Sequence, residues 1–185
     1  MILKDLMIDS GWTLFLDRDG VINTRILGGY VKTWSQFEFL PGVKDAMKIL
    51  SEEFSRIIVV SNQQGIGKGF MTKEELDTLH EKMIGEIERN GGRIDRIYYS
   101  PFLEKEGSVI RKPNVGMALM ARKNFHAINF KHSVMVGDSI SDMIFGKRLK
   151  MVNVFISHDI SQIRKNYRLV DFSFPDLLSF ATELI

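Results

Sequence analysis

The sequence predicts an α/β protein in which an open parallel sheet carries helices on both faces. Three observations lead there. Five short runs rich in β-branched or aromatic residues, at 13–16, 57–60, 97–99, 134–136 and 152–156, read as strands. They are nearly continuously apolar rather than alternating, the pattern of strands buried on both faces. Helical patterns fill the gaps between them, and strand–helix–strand alternation implies right-handed crossovers.

The helices follow in order. Residues 41–54 place Val43, Ala46, Met47, Ile49, Leu50 and Phe54 at helical spacing, with Pro41 in the first turn. Thr72 and Glu75 form a capping-box signature ahead of Leu76, Leu79, Met83, Ile84 and Ile87, and Asn90-Gly91-Gly92 supplies the stop. Further helices are expected around 115–124, 141–149 and 175–184, the last opened by Pro175. No repeat, low-complexity tract or long Pro/Gly/Ser linker divides the 185 residues, so one domain over 1–185 is expected. A domain of that size removes about 70% of its unfolded surface from water, enough for a core without disulfide or metal staples.

Composition narrows the chemistry. Lys plus Arg number 25 against 23 Asp plus Glu, and the resulting net charge of +2 is too small to mark a polyanionic partner. Basic pairs such as Arg164-Lys165 and Lys147-Arg148 are scattered, so no nucleic-acid partner is expected. The absence of cysteine excludes disulfides, thiolate metal sites and cysteine nucleophiles. No apolar run approaches the ~18 residues of a membrane span, and a cytoplasmic location with no membrane partner is the expectation. His80 lies near an apolar helix face and reads as packed, while His126, His132 and His158 show no metal-ligand spacing. Oligomeric state leaves no signal.

In open α/β sheets ligands bind outside the carboxyl ends of the strands, so the residues after each run matter most. The first run is followed by Asp17-Arg18-Asp19-Gly20; taken alone, such acids also occur in solvated loops. The fourth is followed by Gly137-Asp138-Ser139-Ile140-Ser141-Asp142, where Asp142 can equally cap or decorate a helix. A sheet that brought these acids together would raise their pKa values unless a cation neutralised them. Oxygen ligands with no histidine or thiol nearby suit magnesium.

The second run ends in Ser61-Asn62-Gln63-Gln64-Gly65-Ile66-Gly67, whose hydroxyl and amides can bind a phosphate oxygen or simply turn the chain into a helix. Nucleotide motifs do not fit these glycines. Phe70 stands where the dinucleotide fingerprint needs its last glycine, and Gly67-Lys68-Gly69 lacks the P-loop hydroxyl. Arg111-Lys112-Pro113 precedes a helix; a lysine held there neutralises charge on a nucleophile and a phosphoryl group, though an isolated basic pair also reads as surface charge.

In this order, the four segments resemble the motifs of the haloacid dehalogenase superfamily of phosphatases, over nearly the whole chain. The resemblance implies a Rossmann-like sheet with the site at the strands' carboxyl ends. It makes Asp17 the nucleophile that forms an aspartyl-phosphate, and Asp19 the acid that protonates the leaving oxygen and then activates water. Asp17, the backbone carbonyl of Asp19 and Asp138 would hold magnesium, Lys112 and Ser61 would bind phosphoryl oxygens, and Asp142 would orient the metal shell or the lysine. A covalent carboxylate step divides a difficult hydrolysis into two easier ones.

Within the superfamily, residues 15–23, Gly29-Tyr30-Val31, Phe37-Glu38-Phe39, Ser61-Asn62-Gln63 and 111–117 resemble the branch of heptose-bisphosphate and histidinol-phosphate phosphatases. That implies a sugar bisphosphate substrate, with Arg111 and Asn62 helping to hold its phosphate. The branch carries a zinc loop of Cys-x-His and Cys-x-Cys before the RKP stretch. Here Ser100, Phe102, Ser108 and Ile110 stand in those places, so no zinc is expected and a different sugar phosphate is compatible. Too few residues separate the motifs for a large cap domain, so the loops at 24–36 and 99–110 are expected to select substrate around an open site. The open alternatives are histidinol phosphate, a DNA 3′-phosphate end, which the weak net charge disfavours, and a non-catalytic binding protein of the same fold. Intact acids at Asp17, Asp19 and Asp138 argue against the last.

Overall fold

A computed structural model describes residues 3–9 and 11–185; Met1, Ile2 and Ser10 of the expected 1–185 domain lie outside the described residues. The strands are β1 (Thr13–Leu16), β2 (Arg56–Asn62), β3 (Arg96–Ser100), β4 (Ser133–Gly137), β5 (Val152–Ile156) and β6 (Phe172–Phe174). The helices are α1 (Val43–Glu53), α2 (Gln64–Gly67), α3 (Lys73–Arg89), α4 (Gly116–Asn124), α5 (Ile140–Leu149), α6 (Ile160–Lys165) and α7 (Leu177–Thr182). All strand pairings are parallel, in the order β3-β2-β1-β4-β5-β6.

Alternation along the strands explains why the apolar runs are continuous. Leu14, Leu16, Ile57, Val59, Val134 and Val136 pack on one face against Ala46, Met47 and Leu50 of α1, Met83 and Ile87 of α3 and Phe180 of α7. Phe15, Ile58, Val60 and Met135 point to the other face, against Met117, Ala118 and Ala121 of α4 and Phe145 of α5. Both faces are therefore dry, as a doubly covered parallel sheet requires. The register places Leu16 beside both Val59 and Val136; β4 runs one residue further, to Gly137, and β2 three, to Asn62.

The chain runs outward from β1 to β3 and then returns to lay β4 on the other side of β1. That reversal opens a crevice at the carboxyl ends of β1 and β4, the usual ligand position in such sheets. The long connection from β1 to α1 contributes a single 3₁₀ turn at Trp34–Gln36 and the isolated bridges Asp19–Asn23 and Asn23–Phe39. Among the described residues no helix is long and apolar enough to cross a membrane.

Three details differ from the sequence expectation. A sixth strand, β6, pairs Phe172 with Val154 at the sheet edge; at three residues, two half-buried phenylalanines around an exposed serine, it is too short to form an apolar run. The one-turn α2 and the α6 helix capped by Asp159 also form, and neither is long enough to build a periodic buried face. The two prolines precede their helices instead of opening them. Gly42, at φ 72°, is the N-cap of α1, and Asp176, whose side chain accepts from the Ser179 N–H at 2.7 Å, is the N-cap of α7.

The α3 cap forms as the sequence predicts. Thr72 Oγ1 accepts from the Glu75 N–H at 3.1 Å, and Glu75 accepts from the Thr72 N–H at 2.7 Å. Thr72→Ala should cost about 1 kcal/mol, or roughly 2–4 °C in melting temperature for a chain of this length. Thermal melts followed by circular dichroism check this; no change would mean that α3 owes nothing to its cap.

Candidate active site

Asp17 leaves the end of β1 with its N–H on the Val136 carbonyl at 3.0 Å, so its position is fixed by the sheet itself. Its carboxylate is almost fully buried. Oδ1 accepts from the Arg18 N–H at 2.7 Å and lies 2.9 Å from Lys112 Nζ, while among the described residues no hydrogen bond goes to Oδ2. Burial pushes its pKa up to about 6; Lys112 opposes that rise, and the charges of Asp142 and Asp19 add to it.

Lys112 is buried with it. Its ammonium lies 2.6 Å from Asp142 Oδ1 and donates to the Val60 carbonyl at 2.6 Å, so its three N–H groups meet three protein acceptors. Burial alone would lower its pKa, but Asp142 and Asp17 outweigh that and raise it, keeping the lysine charged. The segment carrying it is clamped by Asn62, whose Oδ1 accepts from the Lys112 N–H and whose Nδ2 donates to the Lys112 carbonyl, both at 3.0 Å. Asn62 thus spends its amide on the backbone of Lys112.

Asp142 does two jobs at the start of α5. Its Oδ2 accepts from the N–H and Oγ of Ser139, closing the helix cap, while Oδ1 holds Lys112. With both oxygens engaged, it is an anchor for the lysine. Gly137 lets it come so close, because a Cβ there would overlap the Asp142 side chain.

Asp138 is different. Its Oδ2 meets the exposed Arg25 at 3.1 Å, but Oδ1 is buried and has no hydrogen-bond partner among the described residues. Burial and the Asp17 charge push its pKa to about 7 against the pull of Arg25. Gly20, at φ 96°, has no room for a Cβ beside Asp138 Oδ2. Carboxylate oxygens of Asp17, Asp138 and Asp142 lie within 4.8 Å of one another, and an orphaned buried oxygen in such a cluster fits a hard cation. The cluster can hold a metal ion.

Asp19, two residues past Asp17, points into another network. Arg18 Nη2 donates to both its oxygens at 2.8 and 2.9 Å, Asn23 Nδ2 to Oδ1 at 2.9 Å and Gln63 Nε2 to Oδ2 at 2.8 Å. Burial raises its pKa, but the Arg18 charge and these hydrogen bonds overcome it and hold the carboxyl below its usual range. Gln63 also donates to Ser61 Oγ at 2.8 Å, linking the end of β2 to the same network.

These groups open into a cleft of about 550 Å³ lined by Asp17, Asp19, Ser61, Asn62, Arg111 and Lys112, and by the loop from Arg25 to Val31. All the sequence-derived site residues except Asp138 and Asp142 line it, and those two have carboxylate oxygens within 4.8 Å of that of Asp17. Arg18, Asn23, Arg25 and Lys68 have no role in the sequence reading, and Gln63 enters it only among the amides that can bind a phosphate oxygen. Arg18, Asn23 and Gln63 lie inside or beside the quoted motifs, and an arginine between two acids at a buried strand end was the available signal. Lys68 and Arg25 carried none.

Residues 15–183 match the family described as polynucleotide kinase 3 phosphatase. A D-glycero-alpha-D-manno-heptose-1,7-bisphosphate 7-phosphatase of Mycobacterium tuberculosis (strain ATCC 25618 / H37Rv) is 39% identical over 132 residues, 71% of this chain and 70% of its own. A D-glycero-beta-D-manno-heptose-1,7-bisphosphate 7-phosphatase of Escherichia coli (strain K12) is 41% identical over 145 residues, 74% of each. Among solved structures, a D,D-heptose 1,7-bisphosphate phosphatase from B. bronchiseptica, complexed with magnesium and phosphate, superposes with a TM-score of 0.82 at 24% identity over 94% of this chain and 97% of that one, a likeness of fold.

A divalent cation at a hundredfold excess over its Kd should stabilise the chain by about 2.7 kcal/mol, roughly 5–11 °C at this length. Asp138→Asn should raise the melting temperature of the cation-free protein, because it removes a charge that burial and Asp17 disfavour, and should erase most of the cation-dependent gain. Melts of both proteins with and without the cation test this. An unchanged gain in Asp138→Asn would place the ion elsewhere.

Proposed function

Because the chain belongs to the polynucleotide kinase 3 phosphatase family, we propose that this site hydrolyses phosphate monoesters in two steps through a phosphoryl group carried on Asp17. The observation that carries the reading is a buried carboxylate with one oxygen on a buried ammonium and the other without a hydrogen-bond partner among the described residues. An Asp17 oxygen attacks phosphorus, the bond to the leaving oxygen breaks, and Asp19 gives that oxygen its proton. Asp19 then takes a proton from water as the water oxygen attacks phosphorus; the Asp17–phosphorus bond breaks and phosphate departs.

Lys112 keeps Asp17 ionised near neutrality and supplies positive charge to the phosphoryl group. Asp19 is ionised at rest, and an arriving phosphate dianion raises its proton affinity by like-charge repulsion, which readies it as the acid. Magnesium is the cation proposed, held by Asp17, Asp138 and the backbone carbonyl of Asp19. When bound it supplies positive charge to the phosphoryl oxygens. Ser61 and Arg111 on the cleft wall are proposed to receive phosphate oxygens, with Asn62 serving them by holding the Lys112 segment in register.

The proposed substrate is a heptose bisphosphate. Relatives at about 40% identity are named for that activity, and Arg25, Lys68 and Arg111 place positive charge around the cleft beyond the reaction centre. The names of the relatives differ in anomer, so none is assigned. The family description points to a nucleic-acid 3′-phosphate instead, but a net charge of +2 offers a polyanion little.

Phosphate release measured with magnesium on D-glycero-D-manno-heptose 1,7-bisphosphate, histidinol phosphate and a 3′-phosphorylated oligonucleotide should give the highest kcat/KM on the heptose ester. Asp17→Asn should lower turnover by about 10³-fold or more on every ester, p-nitrophenyl phosphate included. Retained turnover in that variant would overturn the nucleophile, and preference for another ester would overturn the substrate.

A further inference from the structure

The Arg18 guanidinium is completely buried, and its two ends have different partners. Nη2 chelates both oxygens of Asp19, and Nη1 lies 3.2 Å from Nε2 of His80, on α3 and 62 residues away in sequence. Nε of Arg18 has no partner among the described residues, so these two contacts alone orient the planar group. A guanidinium can only donate, so His80 Nε2 must accept and the ring proton sits on Nδ1.

Burial and the neighbouring guanidinium keep His80 in that state. It is almost fully buried on the packed side of α3, and its ring stands 5.8 Å from the Tyr99 ring of β3. Burial and the Arg18 charge push its pKa down to about 3, against a smaller pull from Asp19, so it remains neutral at any working pH. It is a fixed acceptor, not a switch.

We infer that His80 is a positioning residue for the proton-transfer step: by accepting from Arg18 it fixes the guanidinium that in turn holds the Asp19 carboxylate against the leaving oxygen. The inference rests on the proposed role of Asp19. Asn23 and Gln63 each hold one Asp19 oxygen from the side, whereas Arg18 grips both and sets the plane of the group. Without His80 one end of a buried cation loses its acceptor, and the guanidinium turns to find another. The carboxylate follows it, and small displacements of a reacting group cost rate steeply.

The test separates positioning from folding through the leaving group. p-Nitrophenolate departs readily without a proton, whereas phenolate is a poorer leaving group and gains more from one. In His80→Asn, whose amide matches Nδ1 in reach but falls short of Arg18, kcat/KM on phenyl phosphate, which reports the first transfer and not the common hydrolysis of the phosphoryl-enzyme, should fall by about tenfold. On p-nitrophenyl phosphate kcat/KM should fall less than about twofold. In His80→Gln, whose amide oxygen reaches the place of Nε2, both rates should stay near wild type.

Asp19→Asn is the reference. If it lowers kcat/KM equally on both esters, the proposed role of Asp19 as the acid fails. If it lowers kcat/KM on phenyl phosphate selectively while His80→Asn lowers both equally or neither, the role of His80 fails. Should His80→Asn not fold, His80→Leu carries the same expectation.

Discussion

The ammonium of Lys112, buried among Asp17, Asp142 and the Val60 carbonyl, is the contact on which the site is built. A parallel sheet reversing direction beside β1 brings three carboxylates to one small volume, where they repel. One buried cation between two of them makes the arrangement tolerable but does not neutralise it. The surplus falls on Asp138, which has an unpartnered buried oxygen and a pKa pushed to about 7. Stability alone would not select such a cluster, and its cost is the expected mark of a site kept for chemistry.

The lysine is delivered by a loop, and loops need securing. Asn62 clamps the Lys112 backbone to the end of β2, and Arg148 of α5 donates to the Pro113 carbonyl at 2.8 Å. Asn114 Nδ2 donates to the Ser108 carbonyl, and the Gly116 N–H to that of Val109. The segment between β3 and α4 is therefore tied to both neighbouring elements by hydrogen bonds. On the proposed roles, selectivity and chemistry share this segment, since Arg111 and Lys112 both line the cleft.

Much of this was legible in the residues. Strands buried on both faces leave continuous apolar runs, and acids placed after those runs mark the sheet's working end. What escaped was short or solitary. β6 has only three residues, and α6 is too small for a periodic face. Pro41 and Pro175 suggested first turns, but Gly42 and Asp176 make better caps one residue later. His80 reads as packing because packing is what its neighbours on α3 do, and no spacing rule joins it to Arg18 across 62 residues. Arg18 stands between two acids at the end of a buried strand, but nothing in the sequence names its partner on α3. Long-range polar contacts of this kind are set by tertiary approach, which a one-dimensional pattern does not record.

Asp17 follows β1, a central strand with a partner on each side and helices above and below, and its own N–H is tied to Val136. Arg25 and Lys68, by contrast, sit on exposed loops at the cleft's edge. Native proteins open piecemeal, with peripheral loops far ahead of central strands. On the proposed roles, mild denaturant or a protease should blunt discrimination before it touches Asp17, and a partly frayed molecule would still cleave phosphate while no longer choosing whose.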